Sequence, residues 1–303
     1  MTTAVTNAKF DYAIGVDGGG TGTRVRVALQ NGTLLGQGTA GPSALGQGVE
    51  AAWSQILLAL TAAFHSTGSP LPQWSQCVLV AGLSGNGHKP WREEFLALNP
   101  GFARVVVESD GYTMLIGAHG GKPGVIVTAG TGSIAEALYA DGSRREVGGW
   151  GFPVGDEGSG AWLGLRAMAH AHAAQDGRVS QGVLARKVME HCGGGAEAML
   201  AWCTDARQFK YAQLAVLVFE AAEAKPQPDP IAQALLDEAA RALACLAHVL
   251  DPHAQMPVAV SGSVGQRLLP RLPNVLRSRC VVPAHDASHG ALMLAINFGE
   301  TME

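Results

Sequence analysis

Asp17-Gly18-Gly19-Gly20-Thr21-Gly22-Thr23 lies between two β-type runs, Tyr12-Ala13-Ile14-Gly15-Val16 before it and the alternating Arg24-Val25-Arg26-Val27-Ala28-Leu29 after it. The turn recurs about a hundred residues later, where Ala129-Gly130-Thr131-Gly132-Ser133 separates Gly124-Val125-Ile126-Val127-Thr128 from Ile134-Ala135-Glu136-Ala137-Leu138-Tyr139. Both segments read as β-hairpins. Glycines let the backbone approach a ligand and point successive N–H groups at it, and the threonines add hydroxyls, which together suit an anionic phosphate. Two such hairpins suggest a nucleotide held between two related halves.

Two familiar phosphate loops are excluded. A dinucleotide fingerprint or a P-loop runs from a strand directly into a helix whose N-terminus receives the phosphate. Here the segment after the glycines alternates with period two, so it is a strand. No Gly-Lys-Thr or Gly-Lys-Ser occurs, so there is no P-loop lysine.

At 303 residues the chain is long enough for two domains. A hydrophobic content of 47% with 15% charged residues describes a globular protein with a large core. The net charge of −4 argues against nucleic acid or an anionic membrane as the main partner. Met1 to Asp11 has no basic segment followed by an apolar stretch, which argues against a signal peptide. The most apolar helical segment, Ile56 to Phe64, is too short to span a bilayer. Cys77, Cys192, Cys203, Cys245 and Cys280 form an odd, scattered set without Cys-x-x-Cys spacing, which suits reduced thiols in a cytoplasm.

The order of elements predicts α/β architecture used twice. An amphipathic helix is predicted over 47–66, a buried strand over 77–81, a helix over 91–98, and a second buried strand over 104–107 that ends at Glu108-Ser109-Asp110-Gly111. Buried strands with helical crossovers imply a mainly parallel sheet covered on both faces. After the second hairpin come the glycine-rich loop 148–160, a helix over 159–175, and a nearly all-helical stretch from 182 to 251 in which Pro230 opens a long helix. Short strands at 258–260 and 281–282 flank a helix ending at Leu268, and a last helix covers 286–298. The expected domains are residues 1–118, with the C-terminal helix 286–303 packing back on them, and residues 119–285, which carry the helical insertion.

Several residues carry candidate chemistry. Asp17, at the end of an apolar strand, is placed to hold a hydrated Mg²⁺ beside ATP, or simply to cap the turn. Asp110 follows a strand and opens a helix. Ligands collect outside the carboxyl ends of strands in open α/β sheets, so it suits a general base, and it equally suits the N-cap of a helix over 112–118. The loop Gly148-Gly149-Trp150-Gly151-Phe152-Pro153-Val154-Gly155-Asp156-Glu157-Gly158-Ser159-Gly160 combines an indole, two carboxylates and flexible glycines. These are the needs of a sugar pocket, though a packed loop before a helix has the same look. Asp156 and Glu157 are adjacent and would not flank a substrate as glycosidase carboxylates do. His170 and His172 point to different sides of a helix. His285 and His289 have metal-like spacing but no obvious third ligand, so both pairs read as surface or core residues.

The chain resembles the sugar kinase, heat-shock ATPase and actin superfamily, and within it the N-acetylglucosamine kinase and BadF/BadG-type ATPase group. Residues 14–21 resemble the phosphate-1 motif, residues 128–133 the phosphate-2 motif, Ser261-Gly262-Ser263-Val264 the adenosine motif, and residues 148–159 the sugar-site loop. The four segments occur in the family's order and cover nearly the whole chain. The resemblance implies two ribonuclease H-like (actin-like ATPase) domains with a cleft between them. It implies Asp110 as catalytic base, Gly18, Gly19, Thr21, Gly130, Thr131 and Gly132 at the ATP phosphates, and Ala212, Gly262 and Ser263 at the adenosine. Ser133, Gly149, Trp150, Gly151 and Asp156 would contact the sugar, and Asp17 would hold Mg²⁺ through water.

The implied activity is an ATP-dependent phosphorylation of the 6-hydroxyl of N-acetylglucosamine, in a cytoplasmic enzyme whose expected assembly is a homodimer. Ala44, in Gly41-Pro42-Ser43-Ala44, departs from the asparagine with which these kinases bind sugar hydroxyls; an unreplaced contact of that kind costs about 0.5–1.5 kcal/mol. Glucosamine is therefore the alternative acceptor, although glucosamine kinases tend to differ at the Trp150-Gly151 position. An activator ATPase that drives a partner protein is the alternative of another class. Its cysteines bridge an iron–sulfur cluster, and the cysteines here are not spaced for that. A sugar-sensing module without catalysis is disfavoured by Asp110.

Overall fold

The first glycine turn closes a hairpin of β1 (Tyr12–Gly18) and β2 (Thr23–Leu29), with Asp17 opposite Arg24 and Gly18 opposite Thr23. A computed structural model describes residues 10–68 and 70–300. The signal-peptide reading falls mainly on residues 1–9, which lie outside the described residues, as do residues 301–303 of the expected last helix. The chain divides into two compact units, Met1–Lys122 with Pro283–Glu303, and Pro123–Val282.

In the first unit the chain continues through β3 (Leu34–Ala40), α1 (Val49–His65), β4 (Cys77–Leu83), α2 (Lys89–Ala97), β5 (Arg104–Glu108) and α3 (Asp110–His119). The sheet order is β3-β2-β1-β4-β5, antiparallel across the hairpins and parallel from β1 through β5. Every residue of the apolar run in β4 is buried. β5 has a neighbour on one side only and is half-buried throughout, not the fully buried strand its Val-Val-Val run suggests. Trp53, Ile56, Leu60 and Phe64 of α1 bury their stripe against Ile14, Val16, Val25 and Leu79 on one face of the sheet. Each large apolar side chain so buried contributes about 1.5–3 kcal/mol.

The second unit repeats the plan. β6 (Gly124–Ala129), β7 (Ser133–Leu138) and β8 (Arg144–Gly148) form the antiparallel part. They are followed by α4 (Gly160–Gln175), α5 (Val183–His191), α6 (Gly195–Asp205), α7 (Gln208–Gln213), α8 (Ala215–Ala222) and α9 (Pro230–Leu250). Then come β9 (Val258–Ser261), α10 (Ser263–Leu268), α11 (Asn274–Arg277) and β10 (Cys280–Val281). The sheet order β10-β9-β6-β7-β8 matches β5-β4-β1-β2-β3 strand for strand, which is the ribonuclease H-like arrangement used twice. Helices α5 to α8 form an insertion whose Leu184, Val188, Val218 and Phe219 share one core with Leu163 and Met168 of α4 and Leu236 and Leu243 of α9. Asp229 caps α9 by accepting from the backbone of Ile231 and Ala232 and also holds the N–H of Leu184 at 2.9 Å.

The chain then returns to the first unit as α12 (Ala287–Glu300). Ala291, Leu292 and Ala295 pack on Ala13, Ala28, Val78 and Val80, the face opposite α1. The N–H groups of Ala284 and His285 donate to the carbonyls of Ala118 and Gly117 at the end of α3.

Two strands escape the sequence reading. β3 carries two glycines in seven residues, and β8 is Arg-Arg-Glu-Val-Gly with its first three residues exposed. Both are sheet edges, where charge and glycine blunt further strand pairing and erase the apolar alternation.

Candidate functional site

In the first unit the glycine turn is tied down from three sides. The Gly19 N–H donates to the Gly22 carbonyl at 3.0 Å, the Ser43 N–H to Gly19 O at 3.1 Å, and the Ser84 N–H to Gly18 O at 3.0 Å. The buried Thr23 hydroxyl bonds Gly41 O at 2.6 Å and Ser43 Oγ at 2.7 Å. Thr21 stays exposed at the tip. The frame is therefore fixed while a hydroxyl and backbone amides remain available to an anion. Ala44 follows the anchored Ser43 and is half-buried, with extended backbone.

Asp17 sits beside this turn, 3.7 Å from Arg24, with its side chain 24% exposed. Burial pushes its pKa up to about 6; Asp110 and Asp286 push the same way, and only Arg24 opposes them. Desolvation, only partly offset by Arg24, thus leaves this carboxylate more basic than a free one. Asp286 itself is held down at about 2 despite its burial, chiefly by the hydrogen bond from Arg26, 2.9 Å away.

Asp110 is the first residue of α3, and the cap is Ser109, whose Oγ accepts from the Tyr112 N–H at 2.9 Å. The N-cap role considered for Asp110 therefore belongs to its neighbour. The Asp110 carboxylate accepts from the Gly111 N–H at 3.0 Å. Solvent reaches the residue, yet the protein packed around its carboxyl raises its pKa by desolvation, with the Gly111 N–H and its own N–H pulling the other way. An anionic oxygen in that setting is more basic than a free carboxylate.

In the second unit the matching turn has the same internal bond, Gly130 N–H to Gly132 O at 2.9 Å. The start of α4 locks onto it, the Gly160 N–H donating to Gly130 O at 2.8 Å and the Ala161 N–H to Thr131 O at 3.1 Å. Thr131 is exposed. Gly262, at φ 82°, crosses so close to Ala129 that a Cβ would lie 2.3 Å from the Ala129 carbonyl, so a side chain there would push β9 away from the turn. A recess of about 140 Å³ opens beside these residues. Gly130, Thr131 and Gly160 line one part of it, Ser263 and Val264 another, and Phe209, Ala212 and Gln213 of α7 the rest.

Residues 148–160 place their polar and apolar groups differently. Trp150 is 88% exposed and Val154 89% exposed. Asp156 is 5% exposed and adopts φ 61°, a left-handed backbone that Asp tolerates better than most residues but that still costs energy. Its carboxylate accepts from Gln208 Nε2 at 2.7 Å and from the N–H groups of Ser133 and Gly151. Burial nevertheless outweighs these bonds and raises its pKa. The Ser133 hydroxyl donates to Glu157 O at 2.8 Å. Ser133, Gly151 and Asp156 are thus brought together, whereas Glu157 points its exposed side chain elsewhere.

The sequence reading did not find Gln208 or Phe209. Their one available signal is the helical spacing that puts Phe209 on the face of Ala212, three residues on. His285 and His289 stack with ring centroids 3.8 Å apart, and among the described residues no group of three or more His, Cys, Asp or Glu is arranged to hold a metal. A hydrated cation held by one carboxylate needs no such cage. Among the described residues no helix is long and apolar enough to cross a membrane.

The sequence matches the BadF/BadG/BcrA/BcrD ATPase family over residues 14–295. A glucosamine kinase of Vibrio cholerae, GspK, is 32% identical over 286 residues, covering 94% of this chain and 96% of that protein. An N-acetyl-D-glucosamine kinase of Dictyostelium discoideum is 25% identical, covering 94% of this chain and 97% of that one. A solved structure from Chromobacterium violaceum, provisionally named an N-acetylglucosamine kinase, is 48% identical with a TM-score of 0.88, covering 95% of this chain and 99% of that one. Most of the chain, from β1 to α12, is accounted for by one family, and the protein belongs to the BadF/BadG/BcrA/BcrD ATPase family.

Proposed function

We propose that the protein is an ATP-dependent hexosamine kinase that phosphorylates the 6-hydroxyl of N-acetylglucosamine. Asp110 accepts the hydroxyl proton as the oxygen attacks the γ-phosphate and ADP leaves, and burial, by raising its pKa, makes it a stronger base than a free carboxylate. Gly18, Gly19, Gly130 and Gly132 border the phosphates and the hydroxyls of Thr21 and Thr131 bind them, with Ala212, Gly262 and Ser263 at the adenosine. Ser133, Gly149, Trp150, Gly151 and Asp156 bind and orient the sugar. The Asp17 carboxylate, largely buried beside the turn and only partly offset by Arg24, fits a hydrated Mg²⁺, which when bound would neutralise charge building on the phosphates. A cytoplasmic homodimer with a small amino sugar as its partner belongs to the same reading.

The observation that carries this reading is the state of Asp110. It stands at the carboxyl end of β5, released from capping by Ser109, with the Gly111 N–H and its own N–H on its carboxylate. The Asp110→Asn variant should keep ADP binding and lose about 10²–10⁴ of its sugar phosphorylation, measured by coupled ADP release over a hexose and hexosamine panel. Near-full activity would sink the base role. ADP release that ignores every sugar would favour an activator ATPase. Glucosamine is the second acceptor to test, because the Vibrio cholerae relative is named for it and Ala44 lacks the family's amide.

A further inference from the structure

Phe209 is 60% exposed although it lines a recess, an arrangement with little value to the fold. A large side chain left that open forfeits most of its burial energy, which Leu214, Val218 and Phe219 of the same insertion gain. Its position is nevertheless set firmly. The preceding Gln208 is bonded to Asp156 at 2.7 Å. Tyr211, two residues on, packs its ring 5.2 Å from Phe152 and 5.2 Å, edge-on, from Trp202. Gly164 of α4 lies so near the Tyr211 carbonyl that a Cβ would sit 1.9 Å from it. α7 is therefore pinned, and it presents Phe209 and Ala212 from one face.

Ala212 and Gly160 are small where they meet the recess, and the phosphate turn borders it through Gly130 and Thr131. The ligand chemistry that fits is a flat ring continuous with a phosphate chain. Resting on the nucleotide reading above, we infer that Phe209 is the shelf on which the nucleobase stacks. Phenylalanine has a π-face and no hydrogen-bonding group, so the shelf supplies affinity without choosing between purines. Ordinary aromatic stacking on bases tolerates any base for the same reason.

The test is titration calorimetry with ADP, GDP and inorganic tripolyphosphate on the wild type and on Phe209→Ala, Phe209→Trp and Ala212→Trp. Phe209→Ala should weaken ADP and GDP alike by roughly 5- to 150-fold, the range for truncating a stacked aromatic, and leave tripolyphosphate unchanged. Phe209→Trp, which keeps a stacking face, should bind both nucleotides at least as well as the wild type. Unchanged ADP binding by Phe209→Ala, or equal weakening of tripolyphosphate, overturns the shelf. Ala212→Trp fills the recess: if it abolishes ADP binding while Phe209→Ala does not, the shelf alone fails, and if it leaves ADP binding intact, the nucleotide reading of the recess fails.

Discussion

Gln208 Nε2 lies 2.7 Å from Asp156 Oδ2, so a six-residue helix of the insertion holds the buried carboxylate of the glycine-rich loop. The bond to the ionised carboxylate is charge-assisted, and its Asp156 end is buried. Gln208→Leu should therefore remove about 1.5–3 kcal/mol from the Asp156 anion. If Asp156 binds the sugar, the KM for the hexosamine should rise roughly 10- to 150-fold on that scale. Gln208→Glu should be worse at high pH than at low pH, because a second carboxylate beside Asp156 raises its pKa further. Steady-state KM values for sugar and nucleotide across pH 5.5–8.5 decide it: a change confined to the nucleotide would place Gln208 with the recess instead.

Asp17 links the site to stability. Its pKa is pushed from 3.8 to about 6 in the folded protein, chiefly by burial. The raised value means the proton is held more tightly when folded. Folding stability from this group is full below pH 4 and falls as pH rises through about 6. A shift of about two units corresponds to at most about 3 kcal/mol. Asp17→Asn cannot ionise, so it should match the wild type near pH 4 and exceed it at pH 7.5 by up to that amount in denaturant unfolding. Added Mg²⁺ should recover stability for the wild type and not for the variant. No gain for Asp17→Asn at pH 7.5 would refute the burial account.

The parts of this molecule that sequence makes legible are those where one local constraint dominates. The two hairpins stand out because glycine–threonine turns interrupt period-two apolar runs, and α9 stands out because Asp229-Pro230 signals its start. Edges are harder: β3 and β8 have glycine or charge where an inner strand has valine. At the site, Asp110 was legible as a residue at a strand end, but its freedom was not, because Ser109 and Asp110 are both good caps and only geometry shows which one takes the Tyr112 N–H. Gln208 and Phe209 lie on a helix too short to show a period, and their partners are 52 residues away for Gln208 and dispersed along the second unit for Phe209.

Trp150 separates ligand binding from folding most cleanly. It is 88% exposed, so its indole contributes little to the core, and Trp150→Ala should leave the unfolding midpoint nearly unchanged. An exposed tryptophan at the start of a loop whose Asp156 is buried and fixed offers a flat apolar surface beside a polar anchor, which is how sugars are commonly received. Truncation should then raise the hexosamine KM by about 5- to 30-fold, the equivalent of about 1–2 kcal/mol, with the nucleotide KM unaffected. The acceptor panel adds a second readout. If the indole faces the N-acetyl group, N-acetylglucosamine should lose more than glucosamine. Equal losses would mean that Trp150 meets the sugar ring, and no loss for either would remove it from the acceptor site.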